Sequence, residues 1–217
     1  MNDPALRFET YRTGGSSEMM LAFGPKDGLQ VVFVESFLEE RNFLRRTVVG
    51  IARHLAGRDI GCVIPDLPGS GESLVSLEEV DLAQWRKALA DAAATIADAS
   101  GRLPLIASFR AGALIDDAAD GVGWWRYAAA SGTELLRPMR RAEKLGGTPY
   151  AGYRLGHALV AALDDASPTL PPGPLREAEA ASTGAALWHR SEPSEDAALT
   201  DALADDLALW VDICAAA

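Results

Sequence analysis

The chain has 217 residues, a net charge of −11 and 48% hydrophobic residues, which suits a single globular domain over residues 1–217. The sequence is acidic overall and contains no block of Lys or Arg residues, so we expect neither nucleic acid nor an anionic membrane as a partner. No apolar run approaches the roughly 20 residues that a membrane span needs.

The termini and the cysteines suggest the cellular compartment. The start Met1-Asn2-Asp3-Pro4 lacks a basic segment followed by an apolar one, the pattern of a signal peptide. Cys62 and Cys214 give neither metal-ligand spacing nor a disulfide framework. We therefore expect a cytoplasmic protein without a metal or cofactor, and we leave a homo-oligomer open.

The first part of the chain alternates between strand and helix patterns. Apolar runs bounded by turn residues predict six strands: residues 6–12, 17–23, 29–34, 60–64, 103–107 and 122–128. Helical spacing of apolar residues predicts a helix over 39–57, another over 80–98 and a third after Arg110.

The second part is predicted to be mainly helical. Residues 133–165 have helical spacing, broken at Gly146-Gly147 and Pro149, and four prolines between 168 and 174 predict a loop. Residues 185–189 are predicted as a last strand. One apolar stripe predicts a closing helix: Leu199, Leu203, Leu207, Trp210 and Cys214. The alternation predicts a three-layer α/β/α architecture with a mostly parallel sheet and a trimmed C-terminal half.

The most informative segment is Ser108-Phe109-Arg110-Ala111-Gly112, directly after a predicted buried strand. It matches the pattern small-x-Ser-x-Gly of a nucleophile elbow, a sharp turn that holds its central side chain above a sheet. Here the central residue is Arg110, which cannot attack a carbonyl. With Ser108 at the centre, the flanking positions would be Ile106 and Arg110, which are too large for so tight a turn. We therefore place Arg110 at the centre.

Ligands of open α/β sheets bind beyond the carboxyl ends of the strands. Four loops are predicted at that edge: residues 35–42, 66–73, 108–112 and 191–194. The second is rich in glycine but lacks the Lys-Ser/Thr of a phosphate-binding loop. We interpret it as a structural turn and exclude nucleotide binding.

The histidines do not complete a catalytic triad in the sequence. A serine hydrolase needs a base after its last strand, but His54 and His157 fall on predicted helices. His189 falls inside the predicted last strand, and residues 130–184 offer no Asp at a strand end. The remaining arrangement for hydrolysis is Ser108 or Ser36 as nucleophile with His189 as base.

An arginine near a partly buried pocket needs a carboxylate partner. We hypothesise that Arg110 pairs with Glu40 or Glu192, either to fasten two loops together or to form part of a site for a small anionic or acyl ligand. The candidate binding residues come from these loops: Arg110, Glu35, Glu39, Glu40, Asn42 and Glu192.

Several segments beyond the elbow resemble the N-terminal half of α/β-hydrolases, above all residues 31–42 and the run Pro65-Asp66-Leu67-Pro68-Gly69-Ser70-Gly71. More narrowly, the chain resembles the exosortase A system-associated hydrolases of Gram-negative bacteria. The residues that carry this resemblance are Phe37, Glu39, Glu40, Asn42, Arg110, Ser131-Gly132, the segments 137–141 and 151–155, and Leu187-Trp188-His189-Arg190-Ser191-Glu192-Pro193. The resemblance implies the α/β-hydrolase fold and a hydrolase ancestry over most of residues 20–212.

The chain departs from that superfamily in three ways. The centre of the elbow holds no Ser, Cys or Asp, no His follows the last predicted strand, and residues 166–184 are too short for the strand and helix that normally carry the acid. The leading prediction is a degenerate, non-catalytic hydrolase homologue that acts as a binding or accessory protein. The alternatives are an atypical esterase or thioesterase using Ser108 or Ser36 with His189, and a structural partner that docks another subunit through a Trp124-Trp125 surface.

Overall fold

The computed structural model describes residues 6–182 and 184–216. Within these residues seven strands form one sheet, in the order β1-β2-β4-β3-β5-β6-β7. The strands are β1 (Arg7–Thr13), β2 (Ser16–Phe23), β3 (Gln30–Val34), β4 (Gly61–Pro65), β5 (Leu105–Phe109), β6 (Gly123–Tyr127) and β7 (Leu175–Ala178).

Most of the sheet is parallel. Strands β1 and β2 form an antiparallel hairpin, and β2 pairs antiparallel with β4. The pairs β3–β4, β3–β5, β5–β6 and β6–β7 are all parallel. The carboxyl ends of β3 to β7 therefore meet at one edge, where the loops after them can form a common site.

Helices cover both faces of this sheet. They are α1 (Leu38–Ala56), α2 (Leu82–Ser100), α3 (Gly132–Lys144), α4 (His157–Asp165) and α5 (Ala197–Ala216). One hydrophobic core lies between the sheet and helices α2, α3 and α4, and the other lies between the sheet and helices α1 and α5. The predicted three-layer α/β architecture with a mostly parallel sheet is thus confirmed.

The predicted helix after Arg110 is wrong. The chain forms two short 3₁₀ turns there, Arg110–Leu114 and Asp116–Ala118. In a continuing α-helix the backbone carbonyl oxygens of Leu114 and Asp116 would accept hydrogen bonds from backbone N–H groups. Here they accept from side chains instead: Arg86 donates to Leu114 at 3.0 Å, and Trp124 donates to Asp116 at 2.9 Å.

Two further differences concern the end of the sheet. The predicted strand at 185–189 is instead a 3₁₀ turn over Leu187–His189. Leu187 enters the core between the sheet and helices α1 and α5, while Trp188 packs edge to face against Tyr127 with ring centroids 6.1 Å apart, so neighbouring side chains do not alternate as in a strand. The sequence did not predict strand β7. It lies within residues 166–184, which were expected to be too short for the strand and helix that normally carry the acid.

The Trp124-Trp125 pair does not form a docking surface. Both residues lie on β6, with 1% and 0% of their surface exposed. Because successive strand residues point to opposite faces, Trp124 enters one core and Trp125 the other. No helix of the described residues has both the length and the apolar character needed to cross a membrane.

Candidate functional site

The elbow, residues 108–112, keeps the sharp backbone that its sequence predicts. Arg110 follows β5 directly and has φ +52°, a left-handed conformation that is uncommon for residues other than glycine. Gly112 lies against the end of β3, where a Cβ would overlap the carbonyl oxygen of Val34. The turn thus has the form that presents a nucleophile in hydrolases, with an arginine at its centre.

The Arg110 side chain is enclosed by partners. Its Nε and Nη2 atoms donate to the two carboxylate oxygens of Glu40, at 3.3 Å and 3.0 Å. Its Nη1 donates to the carbonyl oxygen of Ala128 at 3.1 Å, and its guanidinium lies 4.3 Å from the ring centroid of Trp188. Arg110 is 8% exposed and Glu40 is 6% exposed. The predicted ion pair therefore forms with Glu40, and its charges are shielded from solvent.

Ser36 joins this ion pair to the backbone of the elbow. Its hydroxyl donates to Glu40 at 2.7 Å and accepts a hydrogen bond from the backbone N–H of Ala111 at 3.4 Å. The residue after an elbow nucleophile supplies the N–H that binds an oxyanion in α/β-hydrolases. In this chain that N–H already has an internal acceptor.

Ser108 belongs to a different buried network. Its hydroxyl donates to Asp116 at 2.6 Å, and Arg126 binds both oxygens of the same carboxylate at 2.7 Å and 2.8 Å. Burial raises the pKa of the Asp116 carboxyl, while the hydrogen bonds from Arg126 and Ser108 act in the opposite direction. Ser108 is 1% exposed, so a substrate has no direct path to its hydroxyl.

The histidines lie apart from these serines. His189 ends the 3₁₀ turn after β7 and is exposed, and among the described residues its ring makes no hydrogen bond to a serine. His54, on α1, lies 3.7 Å from Asp201 and 3.6 Å from Asp205 of α5. His157 is exposed at the start of α4. The geometry does not assemble a Ser–His pair.

The remaining candidate binding residues separate into three places. Glu192 is exposed and forms no ion pair with Arg110 in the part of the chain that the structure describes. Glu39 lines shallow surface hollows beside Asn42 and Trp188. Glu35 is buried at the end of β3, where it binds Arg41 at 3.0 Å and also Arg45. Its other oxygen, Oε1, is buried without a hydrogen-bond partner among the described residues.

A cavity of about 140 Å³ lies beside the ion pair, between the loops that follow β3 and β4. We call it the β3–β4 cavity. Its walls are mainly apolar and include Phe37, Leu67, Trp85 and Leu89; Glu35, Asn42 and Tyr153 are also in contact with it. Arg110 is not among the residues that line it.

The glycine-rich loop forms one wall of this cavity. Asp66, which follows β4, accepts hydrogen bonds from Arg41 at 2.7 Å and from the backbone N–H of Glu72 at 3.1 Å. Gly71 has φ +56° and lies so close to the Asp66 carboxylate that a Cβ would overlap it. The loop therefore closes around its own carboxylate, in agreement with the prediction of a structural turn.

Sequence reasoning missed two residues that shape the site. Trp188 covers the guanidinium of Arg110, and Tyr153 closes the cavity by accepting a hydrogen bond from Asn42 at 3.1 Å. Both segments were noted for their resemblance to a family, but nothing in their spacing connects them with residues 35–42. Among the described residues, no group of three or more His, Cys, Asp or Glu side chains is arranged to hold a metal ion.

Comparison with known proteins identifies the fold. Neither a protein-family model nor a curated protein sequence matches the chain. A protein from Agrobacterium vitis S4 that carries a hydrolase name superposes with a TM-score of 0.50 and 12% identity, over 74% of this chain and 71% of that one. This likeness shows the α/β-hydrolase fold alone.

Two epoxide hydrolases give similar superpositions. VrEH1 from Vigna radiata has a TM-score of 0.47 and 15% identity, over 64% of this chain and 44% of that one. Epoxide hydrolase A from Mycobacterium thermoresistibile has a TM-score of 0.47 and 18% identity, over 65% and 45%. The chain thus spans less than half the length of either enzyme.

Proposed function

We propose that this chain, which has the α/β-hydrolase fold, is a degenerate, non-catalytic homologue of those enzymes and acts as a binding or accessory protein. The observation that carries the proposal is the pair of Arg110 and Glu40 at the centre of the elbow, in van der Waals reach of Trp188 and closed to solvent. An ion pair occupies the place where the fold normally presents a nucleophile.

The rest of the expected machinery supports the same proposal. Acyl transfer needs a nucleophile, a base that takes its proton and donors that stabilise the oxyanion. Ser36 and Ser108 both donate to buried carboxylates, and His189 lies on the surface. The N–H of Ala111 is bound to Ser36. The serines and the backbone N–H are therefore already bound to other residues, and the histidine is exposed at the surface.

The geometry favours binding at the β3–β4 cavity rather than at Arg110. The charge of Arg110 is already neutralised by Glu40, so an anion would have to displace a buried carboxylate to reach it. Glu35 and Asn42 contact the cavity, whereas Glu39 lies outside it and Glu192 is exposed. In this proposal Glu35 and Asn42 belong to the binding site, and Arg110 and Glu40 hold its neighbouring loops in place.

The proposed setting follows from the resemblance and the thiols. Short motifs resemble the exosortase A system-associated hydrolases, so we assign the protein an accessory role in such a bacterial system. Cys62 and Cys214 are both unpaired and buried, which suits a reducing compartment and supports a cytoplasmic location.

The test is a search for hydrolytic chemistry in the purified full-length chain. We expect no labelling by a fluorophosphonate probe and no turnover of a short p-nitrophenyl ester, with an active serine esterase as the positive control. The variant Arg110→Ser places a serine at the elbow, and we expect it to remain inactive because His189 is exposed and no histidine is hydrogen-bonded to a serine among the described residues. Labelling of Ser36 or Ser108, with ester turnover that His189→Ala abolishes, would overturn the proposal in favour of an atypical esterase or thioesterase.

A further inference from the structure

The β3–β4 cavity has the size of a site for a small molecule. Its volume is about 140 Å³, close to the roughly 150 Å³ of apolar cavities that bind benzene in other proteins. One aromatic ring, or a chain of similar bulk, fills such a space.

The inner wall of the cavity is rigid and offers carbon atoms rather than polar ones. Phe37 and Trp85 pack with ring centroids 4.5 Å apart. The indole N–H of Trp85 donates to the carbonyl oxygen of Pro68 at 2.9 Å. This bond fixes the ring, and the N–H is therefore not free to bind a ligand. Leu89 and Leu67 complete this wall and are themselves buried. An apolar body is therefore the part of a ligand that this wall accommodates.

The charges at the cavity are balanced. Arg41 binds both Glu35 and Asp66, at 3.0 Å and 2.7 Å, and Arg45 also binds Glu35. Two guanidinium groups thus face two carboxylates. Among the described residues that line the cavity, Arg41 is the cation, and its charge is already paired, so it does not attract an anionic ligand. Transferring a charged ligand into an apolar cavity without a partner is strongly unfavourable. A neutral ligand avoids that penalty.

Two polar groups retain unused hydrogen-bonding capacity. Tyr153 accepts a hydrogen bond from Asn42 at 3.1 Å, so its own phenolic proton remains available to a ligand oxygen. Glu35 lines the cavity, and its Oε1 has no hydrogen-bond partner among the described residues. This oxygen is closed off in the empty cavity, so a ligand hydroxyl reaches it when the carboxylate turns towards the cavity. A hydroxyl group both donates and accepts, and so complements this combination.

We propose that the β3–β4 cavity binds a small neutral molecule with one aromatic ring, or an apolar chain of similar size, that carries a hydroxyl group. The inference rests on the proposed function, since it identifies the ligand class of a protein that binds rather than hydrolyses. Phenol and benzyl alcohol represent the class. Benzoate has a ring of the same size but carries a negative charge.

The experiment is a titration of the ¹⁵N-labelled full-length protein with phenol, followed by NMR. We expect saturable shifts confined to residues 33–42 and 65–71, the backbone N–H groups of Leu77, Leu89 and Tyr153, and the indole N–H of Trp85. Leu77 lines the cavity from its edge, and Leu77→Phe should weaken phenol binding about tenfold or more because the larger ring occupies the space. Leu74→Phe is the matched control, since the same change occurs nearby on an exposed residue.

A second variant tests the hydroxyl group and does not alter the cavity volume. Tyr153→Phe should weaken phenol binding roughly 2- to 10-fold, the effect of one hydrogen bond, while Tyr150→Phe, outside the cavity lining, should leave it unchanged. Thermal unfolding of each variant shows whether it is folded. Benzoate should bind at least about tenfold more weakly than phenol.

Three results would overturn the inference: no phenol binding to the wild-type chain, binding that Leu77→Phe leaves intact, or benzoate binding as tight as that of phenol. These results differ from those that would overturn the proposed function. Fluorophosphonate labelling with phenol still bound in the cavity would refute the non-catalytic proposal alone. Absence of both labelling and phenol binding would refute the cavity proposal alone.

Discussion

Arg110 and Glu40 each satisfy the other's charge in surroundings that water barely reaches. Their side chains are 10% and 8% exposed. Arg110 also donates to the carbonyl oxygen of Ala128, and Glu40 also accepts a hydrogen bond from Ser36. Removing charges from water is costly, so such a pair adds little stability compared with apolar residues of the same volume. Its effect becomes large when one partner is removed, because the other is left buried and unpaired.

The first prediction concerns this asymmetry. Glu40→Leu should lower the free energy of unfolding by about 3–5 kcal/mol, because the guanidinium of Arg110 remains buried without its partner. The double variant Glu40→Leu/Arg110→Met should recover most of that loss. Urea denaturation measures both. Glu195→Ala removes an exposed partner of Arg46 and is the control, with an expected change below about 1 kcal/mol.

At this scale the sequence predicted that Arg110 pairs with Glu40 or Glu192, but it did not decide between them or predict their surroundings. The need of a buried arginine for a carboxylate and the order of the loops suggested both partners, and the structure shows the pair with Glu40. Trp188 is 78 residues further along the chain, and its place over the guanidinium depends on how the 3₁₀ turn after β7 packs. If Glu40→Leu and Glu195→Ala lower the free energy of unfolding equally, the prediction that loss of Glu40 leaves Arg110 buried without a partner is wrong.

Helix α5 shows how a whole element is attached to the sheet. Its buried side chains fill the core shared with α1, and Asp206 links it to two strands. The indole of Trp125 on β6 donates to Asp206 at 2.6 Å, and Arg176 on β7 donates to it at 3.0 Å. Burial by itself raises the pKa of the Asp206 carboxyl, but the hydrogen bonds from Arg176 and Trp125 together lower it by more, so the net pKa lies below its ordinary value.

The second prediction follows from that direction. Because the pKa of Asp206 is lower in the folded state, its ionisation stabilises the fold at pH values above its ordinary pKa of about 4. This contribution is lost as the pH falls through the lower folded-state value. Asp206→Asn should therefore reduce stability at pH 7 and flatten the decline below about pH 4. Thermal unfolding between pH 2 and pH 7 is the measurement, with Asp212→Asn on the exposed face of the same helix as control.

The two long helices were predictable from the sequence, whereas strand β7 and the 3₁₀ turns after Arg110 were not. The helices predicted over 39–57 and 80–98 have two or more turns of apolar repeat, and α1 and α2 match them closely. Strand β7 has only four residues, and the turns after Arg110 depend on hydrogen bonds from Arg86 and Trp124. Contacts between distant segments decide such elements, so periodicity along the chain does not reveal them.

The whole molecule is organised around a sheet with a hydrophobic core on each face. Strand β6 supplies large aromatic side chains to both: Trp124 to the core of α2, α3 and α4, and Trp125 and Tyr127 to that of α1 and α5. The indole N–H groups of both tryptophans are bound, to the carbonyl of Asp116 and to the carboxylate of Asp206. The helices on both faces of the sheet therefore pack against neighbouring residues of one strand.

The third prediction tests this arrangement against a docking role. Trp124→Ala and Trp125→Ala should each lower the free energy of unfolding by about 3–5 kcal/mol, the usual effect of removing a buried tryptophan. Leu74→Ala, at a fully exposed residue, should change it by no more than about 0.5 kcal/mol. Urea denaturation with size-exclusion chromatography is the measurement. A change in oligomeric state without loss of stability would contradict the buried location.

Strand β7 has a consequence for how the protein avoids aggregation. It forms one edge of the sheet, and an edge strand is a template on which a second chain can extend a β-ladder. Here the edge is four residues long and carries the charged side chains of Arg176 and Glu177. Pro171, Pro172 and Pro174 precede it, and proline has no N–H to lengthen a ladder. This edge of the sheet is thus formed by a strand that discourages pairing with a second molecule.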